Sequence, residues 1–157
     1  MVTKKQVERI YWDSNCFIEW FNGESDNNFQ DCNAIIDAAK DNKIELFTSI
    51  LTLVEVAKIR GYFSIEAEDK IVDFFRNSYI KKVALEWETA RYARELIKNY
   101  DLPVRDSIHL ATAILQKVDT FHTYDHDHLL KLDSKIQNLS LRIIKPTYPG
   151  QIKLPGT

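Results

Sequence analysis

Short apolar runs alternate with amphipathic stretches from one end of the chain to the other. Arg9-Ile10-Tyr11-Trp12 reads as a strand, stopped by Asp13-Ser14-Asn15. Between Phe29 and Lys40, Ile35, Ile36 and Ala39 share one helical face, and Asp41-Asn42 breaks the pattern. Ile44 to Thr48 is a second strand. Ser49 is placed to cap a helix that runs to about Arg60 and is closed by Gly61. Ser64 is placed to cap the next helix, Ile65 to Asn77, which Ile71, Phe74 and Phe75 anchor. Tyr79 to Leu85 is a third strand and Glu86 to Asn99 a helix. A further helix opens at Asp101-Leu102-Pro103 and runs to about Lys117, with Pro103 in its first turn, where a missing N–H costs nothing. Thr120 to Thr123 and Leu139 to Ile144 complete the strands.

Strands alternating with helices predict an α/β fold, a three-layer α/β/α sandwich around a mainly parallel five-stranded sheet. In such sheets ligands bind beyond the carboxyl ends of the strands, where the strand order reverses. No internal repeat or low-complexity tract divides the chain. Residues 1–145 are expected to form one domain, and 146–157, rich in proline and glycine, a C-terminal tail.

Four acids fall where that rule directs attention. Asp13 follows the first strand and Asp125 comes two residues after the fourth. Glu55 interrupts the apolar run from Ile50 to Ala57, and Asp106 sits in the first turn of a helix, whose free N–H groups favour an ionised carboxylate. Each has an ordinary explanation: Asp13 as a strand-end turn, Asp106 as a helix-start acid, Glu55 as part of a solvated stripe with Thr52 and Lys58, Asp125 as a cap before His126 to Leu132. Together they are harder to dismiss. Two like charges about 4 Å apart repel by roughly 4 kcal/mol at an effective dielectric of about 20, so a fold that gathers four acids needs a cation or bound protons. Oxygen ligands select Mg²⁺ or Mn²⁺, and such an ion can activate water for attack at phosphorus.

Composition narrows the setting. The 157 residues are 45% apolar and 28% charged, as in a soluble globular domain, and the net charge is −2. That balance excludes nucleic-acid binding that depends chiefly on neutralising many phosphates; an RNA substrate would be held locally, with a metal supplying positive charge. Cys16 and Cys32 make no disulfide framework. With no signal-like N-terminus and no apolar run near the roughly 20 residues of a membrane span, a cytoplasmic protein is expected.

The motifs around the acids resemble those of the PIN-domain family. Tyr11-Trp12-Asp13-Ser14-Asn15 is similar to its opening hydrophobic-hydrophobic-Asp-(Ser/Thr)-Asn, and Thr48 to Glu55 to its second block. Pro103 to Ala113 closely resembles the most specific block, Asp-x-x-His-hydrophobic-Ala-x-Ala. Thr123-Tyr124-Asp125, ahead of Asp127 and Leu129, resembles the fourth. The resemblance implies strand order 3-2-1-4-5, Mg²⁺- or Mn²⁺-dependent endoribonuclease activity, and a VapC-like toxin that forms a homodimer and pairs with an antitoxin. It implies that Asp13, Glu55, Asp106 and Asp125 are the catalytic acids, that Asp13, Asp106 and Asp125 lie nearest the metal, and that Asn15 and Thr123 orient them. Asp127 is an alternative to Asp125. A catalytically inactive PIN scaffold that binds protein or RNA is the competing reading, although clustered like charges have no purpose there. A haloacid-dehalogenase-like phosphatase is disfavoured, because Asn15 stands where its second Asp would be and no glycine-rich phosphate loop is present.

Other polar residues receive more modest expectations. Lys58, Arg60 and Arg105 lie near the acids in sequence and are candidates for phosphate contact. His122, His126 and His128 are expected at the surface or in loops rather than on zinc, and His109 in helix packing. Trp20, Phe21, Tyr62 and Phe63 are expected to serve the core or a partner rather than to stack on bases.

Overall fold

Side-chain alternation in the strands decides the layering. On β1 (Glu8–Trp12), Ile10 and Trp12 enter one core and Tyr11 the other; on β2 (Ile44–Ser49), Ile44 and Leu46 join the first and Phe47 the second. Both faces of the sheet are therefore apolar, and helices cover each. Cys16 and Phe17 of α1 (Ser14–Asn22), Ile35 and Ile36 of α2 (Asn27–Lys40), and Ile71 and Phe75 of α4 (Ile65–Phe75) close one side. Ala93 and Leu96 of α5 (Trp87–Tyr100) and Leu110 and Ala113 of α6 (Val104–Leu115) close the other. The computed structural model describes residues 6–23, 27–58, 65–137 and 139–148.

With β3 (Ile80–Val83), β4 (Thr120–His122) and β5 (Arg142–Ile144), the sheet has the order β3-β2-β1-β4-β5, and every neighbouring pair is parallel. This is the expected three-layer α/β/α arrangement. The order reverses between β1 and β4, which opens a crevice beyond their carboxyl ends. Trp12 pairs with His122, and the Asp13 N–H donates to the His122 carbonyl at 3.1 Å, so the chain leaves both strands at the same edge. None of the described helices is long and apolar enough to cross a membrane. Cys16 and Cys32 are buried and form no disulfide.

Several boundaries differ from the sequence reading. The spacing predicts no helix directly after Asp13, yet α1 begins there. Asp13 caps it, and Gly23 ends it at φ +62°, a left-handed conformation that favours glycine, with its N–H donating to the Trp20 carbonyl. The aromatic side chains of Phe17, Trp20 and Phe21 then pack on Phe74. The helix expected from Ser49 to Arg60 is shorter: α3 (Leu51–Glu55) is capped at Ile50, while the Ser49 hydroxyl accepts the Leu51 N–H at 3.1 Å. It tightens into a 3₁₀ turn at Val56–Lys58. The expected stop at Gly61 and cap at Ser64 lie outside the described residues. Pro103 occupies the cap of α6 rather than its first turn. After Asp125 the chain forms turns and a 3₁₀ segment, Leu130–Leu132, in place of a helix.

Beyond its pairing with β4, the last strand is anchored by Asp133. Asp133 accepts the Ile143 N–H at 2.9 Å and is gripped by the Arg142 guanidinium, which holds its carboxyl below the usual aspartate range. Asp133→Ala leaves that N–H without its partner, at an expected cost of about 1 kcal/mol. The contribution is full above the ordinary aspartate pKa and is lost as acid protonates the group. Urea unfolding near neutrality and again at about pH 3 checks both parts; equal midpoints for the two proteins near neutrality would refute them.

Candidate active site

Asp13 is fixed from three directions. It is 4% exposed, its Oδ1 accepts the Ser14 N–H at 2.8 Å, and its Oδ2 accepts the Thr123 hydroxyl at 2.9 Å and the Asn15 amide at 3.1 Å. Asn15 also donates to Thr123 Oγ1 at 3.2 Å, and that oxygen accepts the Asp125 N–H at 3.0 Å. Asn15 and Thr123 thus tie the end of β1 to the loop after β4. Burial pushes the Asp13 carboxyl up, opposed by the Thr123 and Ser14 donors.

Asp106 approaches from the first turn of α6 and is equally buried, 4% exposed. Its pKa is pushed up to about 6, first by burial and then by repulsion from Asp13 and Asp125. Asp125 turns the loop, its Oδ1 accepting the N–H groups of Asp127 and His128 at 3.0 and 3.1 Å. Its Oδ2 lies 3.5 Å from His128 Nδ1, and Asp106 Oδ2 lies 3.9 Å from the same nitrogen. One ligand atom from each of Asp106, Asp125 and His128 fits within 4.8 Å of the others, a donor set suited to one divalent cation. Asp127 is exposed, and its N–H serves to shape the Asp125 turn.

Glu55 does not lie on a solvated stripe. Its neighbour Thr52 is buried, and the Glu55 side chain is only 10% exposed. Its Oε1 is 2.5 Å from His109 Nε2, while its Oε2 accepts the Ser14 hydroxyl at 3.2 Å and forms an ion pair with Arg105 Nε at 3.2 Å. Arg105 is paired with an acid yet two-thirds exposed at the rim. The Lys58 side chain, Arg60, Tyr62 and Phe63 lie outside the described residues.

A family model for the PIN domain matches residues 10–135, the span that contains all four acids. This chain belongs to the PIN-domain family. No curated protein sequence matches it. Among solved structures, a chain of a toxin–antitoxin complex from Klebsiella pneumoniae is 20% identical with a TM-score of 0.55, covering 76% of this chain and 88% of that one. Mycobacterium tuberculosis VapC20, a toxin that cleaves the sarcin–ricin loop, is 13% identical with a TM-score of 0.61, covering 85% and 98%. VapBC2 from Rickettsia felis, solved with a DNA fragment from its promoter, is 19% identical with a TM-score of 0.60, covering 86% and 98%. At such identities the likeness is one of fold.

One histidine of this PIN domain departs from the surface or loop position expected of it, and a second, in a loop as expected, turns toward the acids. His122 is fully buried in central β4, where its Nδ1 accepts the Trp12 indole N–H at 3.2 Å; burial lowers its pKa to about 3, so the ring is neutral. His128 turns back over Asp106 and Asp125, because the Asp125 turn folds position 128 onto residue 125. His126 is exposed, as expected. His109 does pack within α6, but it also reaches Glu55. The sequence reading missed Tyr11, Ser14 and His128 at the site. The available signals were the adjacency of Ser14 to Asp13 and the three-residue step from Asp125 to His128; Tyr11 gave none, since any inward strand residue reads as core.

Proposed function

We propose that this PIN domain is a divalent-metal-dependent endoribonuclease, the toxin of a toxin–antitoxin pair. The observation that carries the reading is Asp106: a carboxyl buried against Asp13 and Asp125, with a pKa near 6, is an unfavourable arrangement that a divalent cation relieves. In this reading Asp13, Asp106 and Asp125 hold Mg²⁺ or Mn²⁺, with His128 beside them. When bound, the ion supplies an activated water and positive charge against the phosphate undergoing attack.

The chain's own groups supply geometry. Three donors hold Asp13 in one rotamer, and Asn15 and Thr123 keep its distance from Asp125 fixed. Glu55 faces the same pocket as an oriented acceptor for a proton of the attacking water. Arg105 at the rim, with Lys58 and Arg60 close to Glu55 in sequence, is assigned to phosphate contact. Exposed Val54 and Val104 adjoin Glu55 and Arg105 in the chain, giving apolar surface near the mouth that an antitoxin or a second copy in a homodimer can cover. The toxin–antitoxin complexes among the fold neighbours support that assignment.

The test is incubation of the purified chain with a pool of structured RNAs carrying randomised loops, and with the matching DNAs. Internal RNA cleavage is expected with Mn²⁺ or Mg²⁺ and none in excess chelator. Intact RNA under conditions where Mn²⁺ is shown to bind would replace the nuclease reading with that of a binding scaffold.

A further inference from the structure

We propose that Tyr11 and His109 form a buried strut that fixes the Glu55 carboxylate, which makes both of them positioning residues of this centre; their kinetic role rests on the nuclease reading above. The argument follows the hydrogens. The Ser49 backbone N–H, which can only donate, reaches Tyr11 Oη at 2.9 Å. We assign the phenol's own proton to His109 Nδ1, 2.7 Å away. A nitrogen that accepts carries no proton, so in this assignment the imidazole proton sits on Nε2. That nitrogen lies 2.5 Å from Glu55 Oε1 and 3.6 Å from Asp13 Oδ1, so its hydrogen bond goes to Glu55.

The strut is rigid for reasons visible in its packing. Tyr11 and His109 are both 0% exposed, so water cannot replace a lost partner. The Tyr11 ring stacks on Phe121 at 5.1 Å and meets the His109 ring edge-on at 5.8 Å. Ser14 and Arg105 engage the other Glu55 oxygen. With both oxygens engaged, Glu55 has one orientation toward the pocket, set from beneath by a chain anchored on the Ser49 amide in β2.

Two measurements on the full chain decide the matter. Nitrogen spectra of ¹⁵N-histidine-labelled protein are expected to show His109 with a protonated Nε2 and a bare Nδ1, and the Nδ1 resonance is expected to shift in Tyr11→Phe as its donor is lost, while Glu55 keeps the proton on Nε2. A proton on Nδ1 in the wild type, or an Nδ1 resonance unmoved in Tyr11→Phe, overturns the strut. In cleavage assays Tyr11→Phe and His109→Leu are expected to lower kcat about 10-fold while KM stays within about two-fold. His109→Gln, whose amide can still donate to Glu55, is expected to recover most of the rate. A His109→Gln protein that folds and is as slow as His109→Leu, or a loss confined to KM, overturns the positioning role. If the wild type cleaves no RNA, the nuclease reading fails, while the tautomer measurement still decides whether the strut exists.

Discussion

Asp13→Asn and Asp106→Asn are each expected to slow RNA cleavage by about 1,000-fold or more, about 4 kcal/mol of transition-state stabilisation, in a protein that remains folded. Both changes preserve size and remove one negative charge from a pocket whose proposed work is to hold a cation. Asp13 is the more constrained. Three donors converge on its two oxygens, so the amide of an asparagine turns its NH₂ toward at least one donor and loses geometry as well as charge. Asp106 is repelled by Asp13 and Asp125, so loss of charge is the main consequence of its replacement. Asp127→Asn is the control: Asp127 is exposed and contributes its N–H, so the rate is expected to stay within about two-fold of wild type. Single-turnover cleavage, with circular dichroism to confirm folding, measures all three. A wild-type rate for Asp106→Asn would remove that residue from the mechanism.

The same substitution is expected to stabilise the metal-free protein. The Asp106 carboxyl is raised from the ordinary 3.8 to about 6 in the folded chain, so between those values the folded state binds more protons than the unfolded one. Stability therefore falls as pH rises through that window and stays reduced above it. Asp106→Asn removes the penalty, and a gain of about 1–2 kcal/mol is expected above pH 6, allowing for screening by solvent at the pocket mouth. The gain disappears toward pH 4, where the wild-type carboxyl is itself protonated. Mn²⁺ reverses the order, since an ion at about 100 times its Kd adds roughly 2.7 kcal/mol to a protein that binds it and nothing to one that does not. Thermal or urea unfolding across pH 4 to 8, with and without Mn²⁺, reads both effects. A variant less stable than wild type at neutral pH without metal would show that the acids are not mutually repelling.

Much of this was legible in the sequence, for physical reasons. Apolar residues fall on both faces of β1 and β2 because both faces of the sheet are covered, and that pattern with intervening helices points to a parallel three-layer fold. Asp106 was placed by Pro103 just ahead of it, which fixes the helix start and hence the first turn. What escaped the sequence depends on contacts that close through space. Asp-Ser-Asn reads as a turn, but the structure makes it the start of α1, whose aromatic side chains pack against Trp12, Phe74 and Phe75. His122 is buried because β4 is central, a fact of strand order and not of local polarity. Glu55 is held by Ser14 and His109, 41 and 54 positions away in the chain, so local spacing could offer only a solvated stripe.

Diffraction from crystals grown with Mn²⁺, collected where manganese scatters anomalously, tests the central claim most directly. The account predicts one anomalous peak in the crevice beyond β1 and β4, about 2.0–2.4 Å from carboxylate oxygens of Asp13, Asp106 and Asp125. A crevice without a peak at saturating Mn²⁺, or a peak that leaves Asp13 and Asp106 on opposite sides with neither in contact, would contradict it.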